Sequence, residues 1–334
     1  MRFSAVVPSY GNFGHSDAVR ALIAAAEALG YEGAWFADHV ALPDYTTPFL
    51  PPPMLEPLAA CGWGLGATTR LRFGVDVLVA PYRHPLVVAA QAASLARLSG
   101  NRLVLGVGVG YLEGEFAALG VDPAERGAHT DEALAVLREV WETPAPVDHA
   151  GERFAFSGIH PVGPPPEGLP EGSVPLWVGG NIGVAFRRAA RLGDGWHPLF
   201  PTPEVYARGR AAIEAERARL GIARPFTYSY SAPLGRVLDA PRDWARAEAA
   251  ASATAAAVRL RPELAYSPAP PRADDGRPRL TGTPEELRDD VATFAAAGVE
   301  HLLLRFWTTA SDLDVDGVVR QFELFADQVI GHLA

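Results

Sequence analysis

Short apolar runs alternate with helical stretches along the whole chain, and no other feature restricts its fold so far. The runs are Arg2–Pro8, Gly33–Ala37, Leu71–Leu78, Leu103–Val109, Pro175–Val178, Gly195–Leu199, a segment within Phe226–Val237, and Val299–Phe306. Helical patterns lie between and after them: Asp17–Leu29, Leu55–Leu65, Pro85–Leu98, Leu112–Leu119, Thr130–Trp141, Ile182–Leu192, Pro203–Leu220, Trp244–Leu260, Thr283–Ala297 and Val315–Ile330. Continuous Val- and Leu-rich runs of this kind are buried on both faces, as parallel strands covered by helices are. Eight of them predict a (β/α)8 barrel, one TIM-barrel domain spanning residues 1–334. An open doubly wound sheet is the competing architecture. The glycine run Gly106–Gly110 argues against it, because it lacks the third fingerprint glycine and an acidic ribose partner at the expected distance.

Punctuation supports these elements. Thr283, Pro284 and Glu286 form a helix start with N-cap, N1 proline and capping-box acid, while Gly30 and Gly298 stop helices. Two stretches have no helical period and read as loops over the functional end: 144–174, rich in proline and glycine, and 266–279, rich in proline, aspartate and arginine. With the proline-rich Pro43–Pro53, they are where specificity for a small-molecule substrate belongs.

All 29 basic residues are arginine, and the chain has no lysine. Schiff-base catalysis by lysine, including that of pyridoxal enzymes, is therefore excluded, as is a P-loop lysine. A net charge of −10 argues against a nucleic-acid surface. The single cysteine, Cys61, sits in an apolar helical stretch and reads as a small buried hydrophobe. No apolar stretch reaches membrane-spanning length and the first residues read as a strand, so no membrane partner and a cytoplasmic location are expected.

In a barrel, chemistry sits where strands end. Ser9, Tyr10 and Asn12 follow the first strand, and Asp38 and His39 the second. Asp76 interrupts the apolar third strand, with Tyr82 and Arg83 beyond it. Tyr111, Glu113 and Glu115 follow the fourth strand, Gly179, Gly180 and Asn181 the fifth, His197 the sixth, and Arg305 and Trp307 the eighth. An imidazole at position 39 can hold a proton near neutral pH, or merely bond a loop carbonyl. Gly179-Gly180-Asn181 opens a helix, where free N–H groups attract phosphate; the alternative is a simple tight turn. Gly108-Val109-Gly110 lets backbone approach a ligand. Asp76 must be paired or line a pocket. Glu113 and Glu115 suit the dipole of a helix's first turn. His84, before Pro85, reads as a cap or packing residue.

At these residues the chain resembles the bacterial luciferase-like flavin oxidoreductase superfamily, and within it the branch using the deazaflavin coenzyme F420. The matching text is GYEGAWFADHV, TTRLRFGVDVLVAPYRHPLVVAAQAASLARLSGNRLVLGVGVGYLEGEFAALGV, ERGAHTDEALAVLREVW, PLWVGGNIGVAFRRAARLGDGWHPL and LTGTPEELRDDVATFAAAGVEHLLLRF. The resemblance implies a TIM barrel, commonly dimeric, with the cofactor at the strand C-termini. It implies that Asp38 and His39 lie beside the cofactor ring and that Asp76-Val77 is a cis peptide behind it. Gly108, Val109 and Gly110 would line the cofactor, and Gly179, Gly180 and Asn181 would hold its phosphate. The sugar-phosphate dehydrogenases of this branch have a glutamate where this chain has Tyr111, which argues against sugar-phosphate oxidation; Glu113 is a partial substitute.

The leading expectation is hydride transfer between F420 and a small organic substrate. His39 would be catalytic, with Tyr10, Tyr111, Glu113, His197 and Trp307 shaping the substrate side. The alternative is a monooxygenase using reduced FMN and oxygen. A metal-dependent barrel hydrolase is disfavoured because His39, His84 and His197 are scattered. A barrel that binds without catalysing is the fourth reading.

Overall fold

A computed structural model describes residues 1–48, 50–161, 174–232, 235–239, 271–274, 276–277, 279–307 and 313–333. The expected helix Trp244–Leu260 falls outside them, as do parts of both expected loops.

The strands are β1 (Arg2–Val6), β2 (Gly33–Phe36), β3 (Arg72–Val75), β4 (Leu78–Val79), β5 (Leu103–Gly108), β6 (Val147–Ala150), β7 (Ala155–Ile159), β8 (Leu176–Gly179), β9 (Gly195–His197), β10 (Thr227–Ser231), β11 (Arg236–Val237), β12 (Thr281–Gly282) and β13 (His301–Leu304). The helices are α1 (Ser16–Ala28), α2 (Pro57–Ala67), α3 (Pro85–Ser99), α4 (Glu113–Leu119), α5 (Arg126–Glu142), α6 (Gly183–Leu192), α7 (Pro203–Leu220), α8 (Pro284–Ala296) and α9 (Val315–Gln328).

All barrel pairings are parallel, and β3 pairs with β5 to close the ring β1-β2-β3-β5-β8-β9-β10-β13. The result is a closed eight-stranded barrel surrounded by helices. The predicted third strand, Leu71–Leu78, is corrected: it is two pieces. The ladder breaks at Asp76-Val77, a cis peptide. β3 holds β2, while β4 continues alone against the upper half of β5.

Alternating bulk fills the interior. Trp35 and Trp177 stack with centroids 5.0 Å apart, and His197 stacks on Trp35 at 5.1 Å. Gly74 and Gly195 face these indoles, and a Cβ at either position would collide with them. The bore is therefore plugged by aromatic rings. Outside it, Phe322 and Phe325 of α9 pack on Tyr31, Phe3 and Phe306. Cys61 is fully buried, as expected, with Sγ toward the Gly74 carbonyl. The capping box at Thr283 and Glu286 is formed; such caps contribute about 1 kcal/mol.

Within 144–174, the described part is not irregular. β6 and β7 form an antiparallel hairpin fastened to α5, where His149 meets Glu139 at 2.7 Å. Within 266–279, Arg277 and Arg279 pair with buried Asp290 of α8.

Candidate active site

The mouth of the barrel, at the strand C-termini, gathers most of the predicted residues. Asp38 and His39 leave β2 in opposite roles. Asp38 is buried and fully engaged: it accepts from the Val79 amide at 2.8 Å and takes both guanidinium nitrogens of Arg83 at 2.7 and 2.8 Å. It fastens β4 to β2. Arg83 also reaches Glu56 at 2.8 Å.

His39 turns the other way. Its Nδ1 lies 2.8 Å from Oε2 of Glu115, whose side chain is 1% exposed. The same carboxylate takes the amides of Val40 at 2.8 Å and Ala41 at 3.1 Å, and the Tyr82 hydroxyl at 3.1 Å. Burial raises the Glu115 carboxyl, but the bonds from His39 and from the Ala41 and Val40 amides outweigh it and hold the group below the ordinary carboxylate range. The ring of Tyr111 stands edge-on to His39, with centroids 6.0 Å apart.

Two glutamates that the sequence could not tell apart now separate. Glu113 is on the exposed side of α4. Glu115 is wholly buried and reaches His39. Glu115 does lie in the first turn of the helix, as expected, and adds to that a specific partnership.

The glycine run also changes meaning. A Cβ on Gly106 would collide with the Val75 carbonyl, and one on Gly108 with the Val77 side chain. A Cβ on Gly179 would lie 3.5 Å from Val77 Cγ1. Gly108 makes room for Val77, which stands half-buried at the mouth. Gly110 has φ +78°, and a Cβ there would press on Val79 and Phe116. Val109 and Gly110 are half-buried at the end of β5.

Beneath Val77, Asp76 is enclosed. It is bound by Arg305, by His197 Nε2 at 2.9 Å and by Ser231 Oγ at 3.1 Å. His197 Nδ1 lies 2.7 Å from Ser229 Oγ, which donates to the Trp196 carbonyl at 2.9 Å. The expectation that His197 shapes the substrate side is corrected: its ring is fully enclosed in the plugged bore. Tyr10 and Trp307 are also buried, and the indole N–H donates to the Tyr10 hydroxyl at 3.0 Å.

Burial pushes the Asp76 carboxyl up, but Arg305 and His197 overcome it and hold it at about 2, against 3.8 ordinarily. The folded protein thus keeps Asp76 ionised where the unfolded chain takes up a proton. Stability from this group is complete above about pH 4 and is lost as pH falls toward about pH 2, a change of about 2 kcal/mol. Urea unfolding across that window is expected to show this loss, and an Asp76→Asn variant to lack that component. An identical acid slope in both proteins would refute the assignment.

Gly180 has φ +108°, and a Cβ there would strike Ala185 of α6. Asn181 donates to the Leu199 carbonyl at 2.6 Å, and its buried Oδ1 has no partner among the described residues. Ser9 Oγ, after β1, is likewise buried with no partner among the described residues. His84 is the N-cap of α3, accepting from the Leu86 amide at 3.2 Å. Among the described residues, no group of three or more His, Cys, Asp or Glu could hold a metal ion, and no helix is long and apolar enough to cross a membrane.

Residues 3–301 match the sequence profile described as luciferase-like monooxygenase. An uncharacterised protein of Mycobacterium tuberculosis is 36% identical over 220 residues, 61% of this chain and 73% of that one. A phthiodiolone/phenolphthiodiolone dimycocerosates ketoreductase of Mycobacterium tuberculosis is 30% identical over 241 residues, 67% of this chain and 62% of that one. Two solved structures share the fold. One is an F420-dependent secondary alcohol dehydrogenase in complex with an F420-acetone adduct (TM-score 0.78, 21% identity, 98% of each chain). The other is the oxygenating constituent of the Pseudomonas putida 3,6-diketocamphane monooxygenase in complex with FMN (TM-score 0.77, 18% identity, 100% of this chain and 99% of that one).

Proposed function

This chain belongs to the luciferase-like monooxygenase family, and we propose that it transfers a hydride between coenzyme F420 and a small organic substrate at the barrel mouth. The observation that carries the reading is His39: its Nδ1 is bound to a buried carboxylate while Nε2 has no partner among the described residues. A ring fixed at one nitrogen and unengaged at the other is built to take or return a proton there.

The residues fit a phosphorylated tricyclic ring. Val77, seated among Gly106, Gly108 and Gly179, offers a close-packed apolar floor. The amides opening α6, after Gly180 and Asn181, suit the phosphate, and the orphaned Asn181 Oδ1 and Ser9 Oγ suit hydroxyl partners. When bound, the cofactor supplies the ring carbon that gives or accepts hydride. The chain's own part is to hold a substrate oxygen near His39, where Nε2 takes the proton as an alcohol becomes a carbonyl, or returns it in reduction. Of the relatives, one is named a ketoreductase and one solved neighbour a secondary alcohol dehydrogenase, which favours a carbonyl–alcohol pair.

The deciding experiment is to titrate the purified protein separately with F420 and with FMN, following fluorescence. Micromolar or tighter F420 binding with weak FMN binding is expected. Tight FMN binding without F420 binding reverses the assignment toward an oxygen-using monooxygenase. Binding of neither removes both readings.

A further inference from the structure

We propose that Glu115 is the positioning residue of this site: it fixes a proton on Nδ1 of His39 and so makes Nε2 the working atom of the ring.

Oε1 of Glu115 takes the amides of Val40 and Ala41, and Oε2 takes the Tyr82 hydroxyl. An ionised carboxylate only accepts. The proton in the 2.8 Å contact with His39 therefore sits on Nδ1. Tyr82 cannot provide the alternative, since its hydroxyl proton is already directed at the same oxygen. In the neutral ring Nε2 then carries a lone pair and no proton.

The surroundings hold this arrangement in place. Glu115 is fully buried in the first turn of α4, so it has no water to bond instead. At Gly114, beside it, a Cβ would collide with Pro43. The missing side chain lets the segment after His39 lie against α4, with the Val40 and Ala41 amides over the carboxylate. One side chain thus ties the segment after β2 to the helix after β5.

The functional half of this inference rests on the reading above. If His39 moves the proton of a substrate oxygen, Glu115 decides which nitrogen does so. A glutamine at 115 tests it sharply. Its carbonyl would keep the two backbone amides, which turns its NH2 toward His39 and Tyr82. A donor there cannot face Nδ1–H, so the imidazole must shift its proton to Nε2.

The test is the ring nitrogen NMR spectrum of the 15N-histidine-labelled full chain, with His39 identified by its disappearance in His39→Gln. Without any cofactor, the wild type is expected to show a protonated Nδ1 and a bare Nε2. Glu115→Gln is expected to exchange the two, with the other histidines unmoved. With cofactor bound, Glu115→Gln should lose turnover about 10²-fold or more, alter the pH profile and leave cofactor affinity within about threefold. A proton on Nε2 in the wild type overturns the proposal, as does an unchanged pattern in the variant. Should Glu115→Gln not fold, the wild-type spectrum and the Glu115→Gln/Tyr82→Phe double variant, which removes the second donor, decide in its place. Failure of the functional reading looks different: the nitrogens behave as stated, yet neither F420 nor FMN binds.

Discussion

Turnover falls by about two to four orders of magnitude when His39 is replaced by Ala, the range for losing a positioned proton-transfer group. Cofactor affinity is expected to change little, because among the described residues the ring's bond is to Glu115 and not to the helix start near residue 180. The loss should therefore appear in kcat. The measurement is steady-state turnover alongside a cofactor titration and a urea unfolding curve on the same preparation. Removing His39 leaves Oε2 of Glu115 with the Tyr82 hydroxyl still in place, so gross unfolding is not expected. Unchanged turnover in a folded, cofactor-binding variant would remove His39 from the chemistry and return it to a purely structural role.

The largest effect on stability belongs to Asp76. Changing it to Ala is expected to cost about 3–5 kcal/mol, because one partner of a buried ionic group disappears while the others stay enclosed. Arg305 loses its carboxylate, and the Nε2 of His197 and the hydroxyl of Ser231 lose their acceptor. His197 and Ser231 cannot turn to water, being fully buried, while Arg305, 17% exposed, keeps the Ser231 hydroxyl and the Ala232 carbonyl. Urea unfolding at neutral pH reads the change as a lowered midpoint with an unaltered slope. A cost below about 1 kcal/mol would mean that the network relaxes and that Asp76 is not what secures the top of β3.

The barrel was legible because its strands announce themselves locally. An unbroken apolar run such as Leu103–Val109 can only be buried on both sides, and Thr283-Pro284-Glu286 can only start a helix economically. The site was legible where local chemistry is unusual: a histidine at a strand end, a charge inside GVDVLV, two glycines opening a helix. Partnerships were not. Glu115 and His39 are 76 residues apart, and nothing local distinguishes Glu115 from Glu113, two positions earlier on the same short helix. Gly108 reads as room for a ligand, and its neighbour across the fold shows that it is also room for Val77. His197 stands at a strand end like a pocket residue, but only the tertiary packing reveals that two indoles shut it in.

That plug has a stereochemical consequence. A flat guest laid on Val77, as proposed, would have packed protein beneath it. Whatever it exchanges must cross its upper side, so successive turnovers would deliver and remove hydrogen at the same prochiral face. The handedness of the transfer would then be dictated by the stuffing of the barrel, with the loops left to choose the other reactant.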